Sequence, residues 1–189
     1  MPKPIVIYDA CVLYPAPLRD LLMHLAMTDL FKAKWTNQIH EEWIRNVLIQ
    51  RPDLNKKQLE RTRDLMNLHA LDCLVDGYQK MISELALPDS NDRHVLAAAI
   101  HASASKILTY NLKDFPNKIL NQFKIEAQHP DNFLCELINS DSMAVCSAIR
   151  KLRTGLKKPP IHAEQYLATL EKQRLSQFVL KLKNFIDLI

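Results

Sequence analysis

Residues 87–115 read LPDSNDRHVLAAAIHASASKILTYNLKDF, and this stretch decides the fold. Asp89 and Asp92 stand where a helix begins, and the Ala-rich run behind them predicts a helix over 90–104. A short apolar strand over 106–110 follows, ending in Asn111 with Asp114 three residues on. Oxygen-bearing side chains therefore gather where helices start and strands end. In an open parallel sheet, ligands bind in that place, outside the carboxyl ends of the strands.

The same alternation continues outward. Residues 4–8 (PIVIY) form a continuous apolar run rich in β-branched side chains, as in a strand buried on both faces, and it stops at Asp9. Residues 33–36 and 73–75 are short strand candidates, and 124–127 reads as an edge strand. Helices are expected over 18–27, from an N-cap at Asn37 to Pro52, over 55–71, 78–85, 116–123 and 131–138. In the 55–71 helix Leu59, Leu65, Met66 and Leu68 are the apolar positions. Strands alternating with helices predict an α/β fold, a parallel sheet covered on both faces. Beyond residue 140 the strand signals vanish and three helices are predicted, over 142–153, 162–171 and 175–188. The expected organisation is a domain over 1–139 and a C-terminal helical extension over 140–189.

Composition removes several classes. The only two glycines, Gly77 and Gly155, cannot build a Gly-rich phosphate loop or a dinucleotide fingerprint. Cys11, Cys73, Cys135 and Cys146 are scattered without zinc spacing and read as buried small apolar groups. No signal-peptide pattern opens the sequence, and no apolar run approaches the roughly 18 residues of a membrane span, so the expected location is the cytoplasm. Charge is uneven: residues 1–139 carry 16 Lys and Arg against 17 Asp and Glu, whereas 140–189 carry 9 against 4. Such a basic segment is a solvated helical surface or a phosphate-attracting one.

Each acid has a plain structural reading beside the chemical one. Asp9 closes a strand, Asp89 and Asp92 resemble a helix cap, Asp114 precedes a helix, and Glu41 and Glu42 suit a first helical turn. Together they suggest more. Clustered carboxylates repel and raise one another's pKa unless a cation neutralises them. Oxygen donors without Cys or His point to Mg²⁺ or Mn²⁺, which activates water for phosphoryl displacement. No Ser or Cys has an orienting base for covalent catalysis. An aspartyl phosphotransferase of the haloacid-dehalogenase kind needs D-x-D after its first strand, and here Cys11 takes the second place.

These motifs resemble the PIN-domain family, and within it the VapC-type toxin nucleases, from about residue 5 to residue 137. The first acid of the family falls on Asp9 in IYDACVL and the second on Glu42 in HEEWIRNVL, with Glu41 beside it. The third falls on Asp92 in PDSNDRHVLAAAI, with Asp89 as an accessory acid. The fourth matches Asn111 in LTYNLKDF, where Asp is commoner, and Asp114 is the alternative source of that charge. The resemblance implies a three-layer α/β/α sandwich and an Mg²⁺- or Mn²⁺-dependent endoribonuclease, with RNA as substrate, a cognate antitoxin and a homodimer as partners. It implies Asp9, Glu42, Asp92 and Asn111 as catalytic residues, and Asp9, Asp89, Asp92 and Asp114 as metal ligands. Arg45, Arg93 and Thr109 are the expected substrate contacts. The competing expectation is a PIN scaffold of weak or no activity that binds RNA or a protein.

Overall fold

A computed structural model describes residues 3–189, which divide into two compact units. The first comprises the described residues up to Tyr14 together with Phe31–Gln128, and the second comprises Pro15–Leu30 with His129–Ile189. The sequence expectation drew its boundary after residue 139. By compactness the break falls after Gln128, because the helix Pro130–Ser140 packs against helices further along the chain.

In the first unit, strand β1 (Ile5–Tyr8) leads into a one-turn helix α1 (Ala10–Leu13). Helix α2 (Ala16–Ala26) belongs to the second unit, and the chain returns to the first as strand β2 (Lys32–Lys34). Helices α3 (Asn37–Gln50), α4 (Lys56–His69) and α5 (Arg93–His101) precede strand β3 (Lys106–Leu108). Helix α6 (Asn117–Leu120) then leads to strand β4 (Glu126–Gln128). The four strands are parallel in the order β2-β1-β3-β4, so this is the helix-covered parallel sheet that the sequence predicts. Successive connections leave β1 on opposite sides, and the crevice between the ends of β1 and β3 is the topological switch point of such a sheet. Val6, Ile7 and Tyr8 in β1 and Ile107 and Leu108 in β3 are fully buried. Helix α5 packs against both strands, and its buried Ala97, Ala98 and Ala99 let the helix backbone approach closely.

Local differences from the sequence reading have physical causes. Thr36, not Asn37, caps α3: it is extended, and its hydroxyl accepts the Ile39 N–H at 3.1 Å. Residues 73–75 make only a bridge through Trp35 and Leu74, and 79–84 wind as a 3₁₀ helix. The expected 90–104 helix begins as a 3₁₀ turn over Ser90–Asp92. In α4 only Leu59 and Met66 are buried, while Leu65 and Leu68 face outward.

A polar chain ties α3 to Trp35 and to α4. Trp35 Nε1–H donates to Asn67 Oδ1 at 2.8 Å, and His40 Nε2 lies 3.0 Å from the same oxygen. Trp43 Nε1–H donates to His40 Nδ1 at 2.9 Å, so His40 carries its proton on Nε2 and gives it to Asn67. Both indoles and the imidazole are completely buried, so each N–H needs this acceptor.

With two glycines in the chain, left-handed backbone falls largely on other residues. Asp29, Asp72, Ser103, Lys124 and Arg174 have φ between 51° and 67°.

In the second unit, α2 packs against α8 (Ser142–Gly155), and α7 (Pro130–Ser140) against α8 and α10 (Ser176–Leu182). Helix α9 (Ala163–Glu171) packs against α10 and α2. The buried Asp131 carboxylate in α7 accepts the Gln177 and Phe178 N–H groups at 3.0 and 2.8 Å, satisfying the first donors of α10. Arg153 ties Ile161 O and Ile189 O together at 2.8 and 3.1 Å. Among the described residues no helix is long and apolar enough to cross a membrane.

Asn67→Leu removes the acceptor shared by Trp35 and His40. Its expected cost is about 1–3 kcal/mol per stranded donor, read from the urea midpoint at unchanged m-value; a shift within error would show that the chain does not anchor α3.

Candidate active site

Asp9 is the first residue beyond β1, and its N–H donates to Leu108 O at 3.1 Å, carrying the β1–β3 ladder up to the acid. It precedes α1 without capping it, so the carboxylate is not spent on the helix. Only 5% of Asp9 is exposed. Its Oδ2 accepts the Thr109 hydroxyl at 2.7 Å and the Cys11 thiol at 3.1 Å. Asn111 N–H donates to Thr109 Oγ1 at 3.0 Å, which turns the hydroxyl proton toward Asp9. Burial and the Asp9 charge push the Cys11 thiol up, so it stays protonated and serves as a donor. Thr109, expected to touch substrate, is therefore fully buried behind the acid and positions it.

Asp92 sits where the 3₁₀ turn meets α5, half-buried, and its side chain caps nothing. Asp89 keeps its capping role, accepting Asn91 N–H at 2.8 Å. Burial, then the charges of Asp9, Asp89 and Asp114, push the Asp92 carboxyl up to about 7, while the His94 imidazole draws it back. Carboxylates from three separate segments thus bear on Asp92. Asp114, half-buried, supplies charge from the β3 side; Asn111 is exposed and contributes its backbone to the Thr109 turn.

The two glutamates separate cleanly. Glu41 is exposed, on the groove side shared with Ile44, Leu48 and Lys56. Glu42 lines a cleft of about 520 Å³ together with Gln38, Arg45, Asn46, Asp92 and His94. Arg45 therefore stands on the cleft beside the acids. Arg93, the first residue of α5, is half-buried, its Nε has no hydrogen-bond partner, and it is not among the cleft-lining residues.

His94 carried no expectation from the sequence, where one histidine in an Ala-rich helix has no distinguishing spacing. Its ring is 3% exposed and its Nε2 lies 2.9 Å from Glu42 Oε1, at ion-pair distance but outside hydrogen-bond geometry. Gln38 Nε2 reaches the same oxygen at 3.5 Å.

Among the described residues no three His, Cys, Asp or Glu side chains converge at ligating distance. The donor chemistry nonetheless fits a hard divalent cation. Asp9 is a buried carboxylate that caps no helix, and Asp92 bears a repulsion from neighbouring charges that a cation relieves.

Because the folded protein holds the Asp92 proton more tightly than the unfolded chain does, this group stabilises the fold most in acid. That contribution is fully present only below the ordinary carboxyl value of 3.8 and is lost progressively as pH rises from there to about 7. In the presence of a chelator, Asp92→Asn is expected to raise Tm above wild type at pH 8, and by a clearly smaller margin at pH 5. A variant less stable than wild type at pH 8 would refute the repulsion.

Residues 5–113 match the PIN domain, and residues 130–184 match the VapC50 C-terminal domain. The chain is 35% identical over 105 residues to a protein of Mycobacterium tuberculosis named "Putative ribonuclease VapC50", covering 56% of this chain and 61% of that protein. It thus spans about three fifths of the relative's length. No solved structure matches it. The PIN match runs over more than half of the sequence and takes in both the strand end bearing Asp9 and the helix start bearing Asp92, so the chain belongs to the PIN-domain family.

Proposed function

We propose that this protein is an endoribonuclease dependent on Mg²⁺ or Mn²⁺, hydrolysing RNA phosphodiester bonds as the toxin of a toxin–antitoxin pair. The observation that carries the reading is that the charges of Asp9 at the end of β1, Asp89 and Asp114 all bear on Asp92 at the start of α5. The ribonuclease name of the relative supports RNA as substrate. Asp114, in range of Asp92, offers the charge that Asn111 does not, which favours an active enzyme over an inert scaffold.

In this reading Asp9, through Oδ1, and Asp92 hold the ion, with Asp89 and Asp114 adding charge around it. When bound there, the divalent ion neutralises the phosphoryl oxygens and lowers the pKa of water. Glu42, at the cleft wall, takes the proton of the attacking water on Oε2, the oxygen that neither His94 nor Gln38 approaches. Arg45, three residues on in α3, draws the phosphate into a cleft that is otherwise acidic, with Arg93 at the start of α5 adding positive charge. Asn111 adds an uncharged amide beyond β3 to orient the substrate. Thr109 and Cys11 keep Asp9 aimed. The nuclease domain is taken as residues 1–139, with the helices of 140–189 as an extension. A cognate antitoxin, self-association as a homodimer and a cytoplasmic location complete the proposal.

The decisive assay is cleavage of a labelled single-stranded RNA with Mn²⁺, with and without EDTA. Asp9→Asn is expected to lower the rate by about 100-fold or more, and Thr109→Val by about 10–100-fold. Equal rates for wild type and Asp9→Asn, or cleavage that survives EDTA, would overturn the reading. Growth arrest on expression, relieved by co-expressing a small neighbouring gene product, checks the toxin assignment.

A further inference from the structure

Asp9 and Glu42 are each approached at a single carboxylate oxygen. Asp9 Oδ2 accepts from Thr109 and Cys11; Glu42 Oε1 lies 2.9 Å from His94 Nε2, outside hydrogen-bond geometry, and accepts from Gln38 at 3.5 Å. The supports differ in kind. The partners of Asp9 come from the backbone turns at the ends of β1 and β3. Glu42 sits on α3, and the closer of its partners comes from another helix, α5, two residues after Asp92. His94 is thus the side chain that joins the Glu42 helix to the Asp92 helix across the cleft wall. Its burial is nearly complete, and neither ring nitrogen has a hydrogen bond satisfying both distance and angle. Such a group is costly in a packed interior, and here the Glu42 carboxylate lies 2.9 Å from Nε2.

We infer that His94 is a positioning residue: it touches no substrate, and it acts through Glu42 by holding Oε1 so that Oε2 faces the cleft. The inference rests on the ribonuclease reading for its consequence in RNA cleavage, and on the cleft geometry alone for its consequence in cation binding. Glu42 adds to the negative field of the cleft, so a displaced carboxylate weakens Mn²⁺ binding as well as turnover.

The test is a double-mutant cycle of His94→Leu and Glu42→Gln in the full chain, read in two ways. One readout is the single-turnover rate and KM on single-stranded RNA; the other is Mn²⁺ affinity by calorimetry without RNA. His94→Leu is expected to lower the rate by about 10–100-fold while leaving KM within about threefold. In the Glu42→Gln background the same change is expected to cost less than about twofold, because its target is already gone. Mn²⁺ affinity should follow the same non-additive pattern. Equal losses in both backgrounds, or no loss in the wild-type background, overturn the inference.

His94→Gln and His94→Asn guard against a folding defect in the leucine variant, with Tm measured for each. The glutamine amide reaches as far as Nε2 and should recover most of the loss, whereas the shorter asparagine should not; equal behaviour of the two overturns the inference. A wild type that binds Mn²⁺ and cleaves no RNA defeats the ribonuclease reading alone, and the calorimetric cycle still decides the role of His94. A wild type that does neither defeats both.

Discussion

The central position of β1 is the constraint on which the site depends. The strand is hydrogen-bonded on both sides, to β2 and β3, and its last three residues are completely buried. A strand so placed cannot shift register without breaking two ladders and exposing its apolar side chains. Asp9 continues that ladder by one bond, to Leu108 O, so the acid inherits the rigidity of the sheet. Everything else in the site is located relative to that point. Thr109 follows β3, Asp114 ends the 3₁₀ turn after it, and Asp92 opens the helix that packs against both strands.

Rigidity is what makes the electrostatics work. Carboxylates on mobile side chains would separate and relax in water; here the fold holds them near one another at a cost that appears in the raised Asp92 pKa. The protein therefore pre-organises charge during folding, and a bound cation would recover the energy. The acid of α3 is secured separately. Trp35, His40, Asn67 and Trp43 secure its helix by a chain of hydrogen bonds joining the residue after β2 to α4 and α3. That arrangement leaves the outer face of α3 to carry Glu42 and Arg45.

Much of this was legible in the sequence, and the limits are physical. The β1 and β3 strands announce themselves through short β-branched runs bounded by polar residues, and Asp9 and Asp92 stand at the resulting boundaries. Helical spacing left Glu41 and Glu42 equivalent as neighbours; packing alone directs one to the cleft and the other to the α3–α4 groove. Thr109 looked like a substrate contact because the sequence cannot show which way a hydroxyl points, and its proton goes to Asp9. Leu65 and Leu68 matched an amphipathic face but lie outside the narrow stripe that α4 buries. His94 and the Trp35–His40–Asn67–Trp43 chain were invisible because they join residues far apart in sequence, without a local pattern.

The scarcity of glycine has a consequence for how stability is distributed. Lys124 ends the 3₁₀ turn over Asn121–Phe123 in left-handed backbone, a position that a residue lacking a Cβ occupies at lower cost. Ser103 and Arg174 make comparable turns. Asp72 is a different case, since its side chain also binds Lys34. The fold thus keeps a reserve of backbone strain in its turns, at residues that do not line the cleft. Thermal robustness and cleft chemistry are for that reason separable traits in this chain. Glycine at the turns is a route to a hardier scaffold that leaves the acids and their supports as they are.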